Sequence, residues 1–365
     1  MNIQKLKTRT LYENLKAQIL SKTLLPDSKL PSETELIEQY SVSRYAARKV
    51  LEQLVDENLV RKQQGVGCFV CPAPVLPSRP ASSRQILLIA SRAEHFYFLK
   101  TITGIENALQ DSGYTLTIKL SNYNPAIEAA LLNEAFQEDY AGFLIFPSES
   151  AYIYTNLHLY RHIEKHRIPC IILGNKLPCT GLPCIITDDY IGGKIAADYF
   201  IRRGHRNFVC IMNQEEYSGC MRYAGFLDGL HNANLPAGQS SIIWFGHKDK
   251  DTLFEAGKSR LLELAAQATA FFCFNDAAAV NLYHFLIQNG YKIPEEISII
   301  GYDDSYLCET NPLPLTALHQ DPEASGFAAA RNLLRLIQDS TYNCNKVFLP
   351  YLTERSSVAN LKAPL

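Results

Sequence analysis

Two hydrophobic rhythms divide the chain. Over the first seventy residues, apolar positions recur three and four apart. Leu11, Leu15 and Ile19 mark one helical face within 7–22, and Val50, Leu51, Leu54 and Val55 mark another after Ser43. Between them Pro31 and the pair Ser32-x-x-Glu35 predict a capping box and a second helix, which "YSVS" cuts short. After the third helix, "LVRKQQGVGCFV" predicts two short strands around Gly65-Val66-Gly67. Helix, short helix, tight turn, helix and hairpin make the α+β winged helix-turn-helix plan.

From residue 85 the rhythm changes to short apolar runs alternating with longer amphipathic stretches. "ILLIA", "GFLIF", "CIIL", "FVCIM", "AFFCF" and "SIIGYDD" read as strands, and "FLKTITGIENALQDSG", "RYAGFLDGLHNA" and "DAAAVNLYHFLIQNG" as the helices between. That alternation predicts parallel sheets covered by helices on both faces. The strands are too many for one compact sheet, so two stacked α/β lobes are expected. Between the two rhythms, "CPAPVLPSRPASSRQ" carries four prolines from 72 to 80, which neither a helix nor a central strand tolerates. The expected plan is a winged-helix domain at 1–71, a Pro-rich linker at 72–84 and a two-lobed domain at 85–365.

Composition refines this picture. At 365 residues with 47% apolar and 20% charged positions, the chain can bury more than one core. The net charge of -2 conceals a split, because residues 1–72 hold 11 Lys+Arg against 8 Asp+Glu and the rest hold 24 against 29. A basic small end on an acidic body suits a DNA-binding head on a larger module. The first twenty residues have no apolar signal core and no run approaches a membrane span, so a cytoplasmic protein without a membrane partner is expected. Ten cysteines then read as reduced thiols. Cys68 with Cys71 and Cys179 with Cys184 lack a second ligand pair at zinc spacing, and no metal, other cofactor or catalytic residue is expected.

Candidate chemistry gathers in two places. In the head, Arg44, Tyr45 and Arg48 lie near the start of the third helix, where a recognition helix meets base edges. Gln64 and Gly65 sit at the wing tip. In the larger part, ligands of open α/β sheets bind beyond the carboxyl ends of strands. Those positions hold Ser91, His95, Phe96, Ser148, Asn175, Arg222, Trp244, Asn275, Asp303 and Gln320. Amides, a few charges and aromatic faces suit a small, uncharged, hydroxyl-rich molecule. Asp276 reads as a helix N-cap, Asp188 and Asp189 as cap and hinge residues, and Asp304 as structural. Arg222 and Asp303 are candidates to pair with each other.

The stretch "LPSETELIEQYSVSRYAARKVLEQLVDENLVRKQQGVGCFV" resembles the GntR-type winged-helix domain. The resemblance implies DNA-reading roles for Arg44 and Arg48, and contacts from the motif residues Ser32, Glu33, Thr34 and Ser43. Thr34 stands where many members carry Arg. "RYAGFLDGL", "CFNDAAAV", "GYKIPEEISIIGYDDS" and "PLTALHQDPEASGF" resemble the effector domain of LacI-type regulators, which is similar to periplasmic sugar-binding proteins (type I). That implies three crossings between lobes, near 187, 314–318 and 343. Lobe 1 would span about 85–187 and 318–342, and lobe 2 about 188–314 and 343–365. It also implies effector contacts at Arg222, Asn275, Asp303 and Gln320. Asn175 stands where many members have Asp.

A GntR-type head on a LacI-type sensor resembles a group of sugar-responsive repressors of Gram-positive bacteria. The expected protein is a homodimeric repressor on operator DNA, released by a small sugar such as L-arabinose. A purine, nucleoside or sugar-phosphate effector is the alternative within this architecture. An enzyme built on Asp303 and Asp304 is the alternative outside it, and it would need a nucleophile or metal near that pair.

Overall fold

The computed structural model describes residues 3–20, 23–25, 27–56, 60–63, 67–70, 83–91, 96–151, 156–177, 179–236, 238, 240–249 and 252–361. The chain divides into two compact units, Met1–Pro80 and Ala81–Leu365. Most of the expected linker, 72–82, lies outside the described residues.

The first unit orders its elements as α1 (Ile3–Leu20), α2 (Glu33–Tyr40), α3 (Arg44–Asp56), β1 (Val60–Gln63) and β2 (Gly67–Val70). Leu11 and Leu15 pack with Leu36, Val50, Leu51 and Leu54 in one core. The start of α2 follows from its sequence. Ser32 Oγ accepts from the Glu35 amide while the Glu35 carboxylate accepts from the Ser32 amide, which satisfies two of the helix's open donors. Strands β1 and β2 pair antiparallel, Val60 with Val70 through Gln63 with Gly67.

The second unit holds two six-stranded sheets. The first contains β3 (Gln85–Ala90), β4 (Thr115–Leu120), β5 (Gly142–Ile145), β6 (Cys170–Leu173), β7 (Cys184–Thr187) and β13 (Lys346–Phe348), in the order β13-β7-β6-β5-β3-β4 and all parallel. The second contains β8 (Phe208–Asn213), β9 (Ser240–Phe245), β10 (Ala270–Cys273), β11 (Ser298–Asp303), β12 (Thr316–His319) and β14 (Tyr351–Thr353), in the order β14-β12-β11-β10-β8-β9. Only β14 runs antiparallel to its neighbour there.

Successive strand residues face opposite sides, so a sheet covered twice is apolar throughout. Strand β3 shows this directly. Ile86, Leu88 and Ala90 join one core, and Leu87 and Ile89 the other. Helices α4 (Phe96–Leu109) and α13 (Pro322–Gln338) cover the first side, and α5 (Pro125–Ala135) and α6 (Leu157–Lys165) contribute to the second.

The remaining helices are α7 (Asp189–Arg202), α8 (Tyr217–Asn232), α9 (Leu253–Ala256), α10 (Lys258–Ala265), α11 (Asp276–Gln288) and α12 (Tyr306–Thr310). Among the described residues, no helix is long and apolar enough to cross a membrane.

The lobe crossings fall partly elsewhere than the sequence suggests. The first follows β7. The second follows β12, since residues 316–319 pair inside the second sheet, and the third follows β13, since 346–348 pair inside the first. Both displaced boundaries sit on strands of three or four residues, too short for a periodicity of their own.

Candidate functional site

In the head, Ser43 Oγ accepts from the Ala46 amide at 3.2 Å and so sets the start of α3. That start presents Arg44, Tyr45 and Arg48 to solvent, with Tyr45 76% exposed. Glu33 faces Arg48 at 3.3 Å across the two helices, and its carboxylate raises the guanidinium pKa. Glu33 therefore orients an arginine, a role no short motif announces. Thr34 is exposed beside it. Gln64 and Gly65, expected at the wing tip, lie outside the described residues.

In the second unit, a cavity of about 280 Å³ lies between the carboxyl ends of both sheets. Six of the ten effector candidates line it: Ser91, Asn175, Arg222, Asn275, Asp303 and Gln320. His95 lies outside the described residues. Three others point elsewhere. Ser148 is buried against Ser121 at 2.8 Å, and its amide donates to Glu128 at 2.5 Å. Phe96 packs edge-on against Tyr306, while Tyr97 and Phe98, the next residues around the helix, reach the cavity. Trp244 lies 38% exposed against Tyr223, and its strand neighbour Phe245 takes the inward face.

The charged centre rests on close helix packing. A Cβ on Gly193 of α7 would fall 2.0 Å from the Arg222 carbonyl, and one on Gly225 of α8 would fall 1.9 Å from the Tyr190 carbonyl. Only glycine permits this approach, and it brings the first residue of α7 to the side chain of Arg222. Arg222 Nε then donates to Asp189 Oδ1 at 2.8 Å, with both side chains more than nine-tenths buried. A second guanidinium nitrogen donates to the Phe274 carbonyl, and the group lies 3.5 Å from the Tyr302 ring centroid. Burial raises the pKa of Asp189 against the pull of Arg222. Burial opposes the Arg222 charge too, but Asp189, Tyr302 and Asp303 outweigh it and its pKa rises.

The pairing of Arg222 with Asp303 is thus replaced by a pairing with Asp189. Asp303 instead accepts from Gln320 Nε2 at 2.6 Å. Asp303 and Asp304 both hold left-handed backbone, at φ 106° and 57°, and their carboxylates take different partners. Asp304 meets Arg355 at 2.7 Å, Thr353 Oγ1 at 2.7 Å and His319 Nδ1 at 3.0 Å. One carboxylate therefore faces the cavity and the other ties β14 to β11 and β12.

The capping assignment shifts by one residue. Asn275 caps α11 through Oδ1 to the Ala278 amide at 3.0 Å, and Asp276 is buried, accepting from the Ser305 amide at 2.6 Å. Asp188 caps α7.

Thr187 and Glu216, which sequence reading passed over, also line the cavity. The Thr187 and Asn175 side-chain oxygens are buried there without a hydrogen-bond partner. Glu216, at the start of α8, has its pKa pushed up to about 7, first by burial and then by Asp303 and Asp189 against Arg222. A strand end followed by two acids, "CIITDD", was the available signal for Asp189.

The profile described as "Bacterial regulatory proteins, gntR family" matches residues 7–70, and "Periplasmic binding protein-like domain" matches 197–358. The "Arabinose metabolism transcriptional repressor" of Geobacillus stearothermophilus is 27% identical over 97% of this chain and 99% of its own length. The "HTH-type transcriptional repressor PurR" of Vibrio atlanticus is 30% identical over 77% of this chain and 83% of its own. A LacI family transcriptional regulator from Enterococcus faecalis V583, solved with bound ribose, superposes with a TM-score of 0.66. It is 28% identical over 76% of this chain and all of its own. The chain belongs to the bacterial helix-turn-helix transcriptional repressors, with a gntR-family head and a periplasmic-binding-protein-like sensor.

Proposed function

We propose that this repressor binds operator DNA as a homodimer and releases it when a free sugar, with L-arabinose the leading candidate, enters the cavity of the second unit. One observation carries the ligand class. Arg222 is the single Arg or Lys among the described residues lining the cavity, and it is already held by Asp189 and the Phe274 carbonyl. Asp303, Glu149 and Glu216 line the same space. A phosphate would meet carboxylates and no uncommitted cation, whereas hydroxyl groups can donate to Asp303, Asn175 Oδ1 and Thr187 Oγ1. Full-length similarity to arabinose metabolism repressors and a ribose-bound neighbour support the sugar.

Arg44 and Arg48 read base edges, Ser32, Thr34, Ser43, Gln64 and Gly65 contact the backbone, and Glu33 holds Arg48 in place. The sensor contacts are Ser91, Asn175, Arg222, Asn275, Asp303 and Gln320. Sugar binding between the lobes favours one lobe arrangement, and that arrangement changes how a dimer holds its two heads. By linkage, operator DNA weakens sugar binding by the same factor.

A purine is the second reading, because the rings of Tyr97, Phe146 and Phe274 line the cavity and a planar base could stack on such rings. A thermal-shift panel separates the two. A ligand that binds only the folded state raises the unfolding midpoint. A rise with L-arabinose or another free pentose supports the sugar, and a rise only with purines or nucleosides replaces it.

A further inference from the structure

Resting on that sugar reading, we infer that Tyr123 and His247 form a lid that limits the ligand to a single sugar ring. Tyr123 follows β4 in the first lobe and His247 follows β9 in the second. Their rings stack across the cleft with centroids 3.6 Å apart and planes 20° apart. Both line the cavity and both are partly exposed, so the stacked pair stands between the cavity and solvent.

Each half of the lid is held by its own lobe. Asn122 and Tyr123 have left-handed backbone, at φ 52° and 56°. That conformation is uncommon for a bulky residue and persists where its surroundings fix it. Here Asn124 donates its amide to the Ser121 carbonyl at 2.9 Å and caps α5, and Ser121 is buried against Ser148. On the other side, the His247 amide donates to Glu215 Oε2 at 2.6 Å, and the Gly246 amide to Asp249 at 3.1 Å.

The same edge carries direct bonds between lobes. The Ala151 amide donates to the Glu215 carbonyl at 3.2 Å, and the Tyr217 amide to Ser150 Oγ at 3.0 Å. Glu215 thus holds the lid histidine through its carboxylate and the opposite lobe through its carbonyl. A second ring linked to the first would have to leave the cavity past this stack.

The test is calorimetric binding of L-arabinose, D-ribose and xylobiose to the full-length protein and to Tyr123→Phe, Tyr123→Gly and His247→Ala. Glycine removes the ring and suits the left-handed backbone, and His247→Ala opens the lid from the other lobe. The wild type and Tyr123→Phe are expected to bind a pentose and to bind xylobiose at least about tenfold more weakly. Tyr123→Gly and His247→Ala are expected to narrow that gap to about threefold or less. Wild-type protein that binds xylobiose as tightly as a pentose overturns the lid and leaves the sugar reading standing. So do two folded opening variants that still reject xylobiose. Wild-type protein that binds none of the three sugars overturns the sugar reading, and the lid falls with it.

Discussion

The exposed face of α3 in the head and the cavity of the sensor use the same residue types under opposite conditions. Arg44 and Arg48 stand on an exposed helix surface, and the contact between Arg48 and Glu33 is a solvated ion pair, weak by nature. Arg222 is buried, and its charge persists because Asp189, the Phe274 carbonyl and the Tyr302 ring surround it. An exposed arginine can be exchanged without consequence for the fold around it. A buried one is part of the fold, and removing it leaves the buried Asp189 carboxyl group without its guanidinium partner.

The largest expected effect breaks this comparison at its buried end. Arg222→Ala should destabilise the sensor by about 3–5 kcal/mol, the usual cost of stranding one partner of a buried pair. Denaturant unfolding would show it. A loss below about 1 kcal/mol would mean that water or another group already compensates Asp189. Next, Arg44→Ala and Arg48→Ala should each weaken specific DNA binding by about 1–3 kcal/mol if each reads a base, with sensor stability unchanged. Loss equal on specific and random DNA would make that arginine a phosphate contact instead.

A smaller, graded effect concerns pH. Burial pushes the Glu216 pKa up to about 7 in the folded chain, against an ordinary 4.5. The folded state therefore holds that proton more tightly, so the contribution is full below the ordinary value and is lost as pH rises toward 7. His205 works in the other direction, with its pKa pushed down to about 4 by burial. The informative quantity is accordingly the difference between proteins. Unfolding midpoints of Glu216→Gln should fall less than those of the wild type between pH 5 and 7, and identical falls would contradict the assignment. The smallest effect lies in the head, where Ser32→Ala removes one half of a capping box and should cost about 1 kcal/mol in that unit's unfolding.

The same contrast explains what could be read from the chain. Capping boxes and amphipathic faces are local, so α2 and α3 are announced by Ser32, Glu35 and Ser43. The positions past strand ends were also legible, and six of the ten candidates there line one cavity. What failed was direction. Trp244 and Phe245 differ by one residue on a strand, Phe96 and Tyr97 by one on a helix, and Asn275 and Asp276 by one at a helix start. Each error is a single step in register, which residue type alone does not fix. The Arg222 partner was missed for another reason. It depends on how closely α7 and α8 approach through Gly193 and Gly225, a long-range fact without a local signature.

The most direct test of the account follows the coupling itself. A DNA fragment selected from a random pool for tight binding would be labelled, and its anisotropy followed while L-arabinose is added to wild type and to Asp303→Ala. The account predicts that sugar releases the wild type, while Asp303→Ala binds the fragment as tightly and stays bound. Release of both proteins alike, or loss of DNA binding by Asp303→Ala before any sugar is added, would contradict the assignment of Asp303 as the cavity's sugar contact.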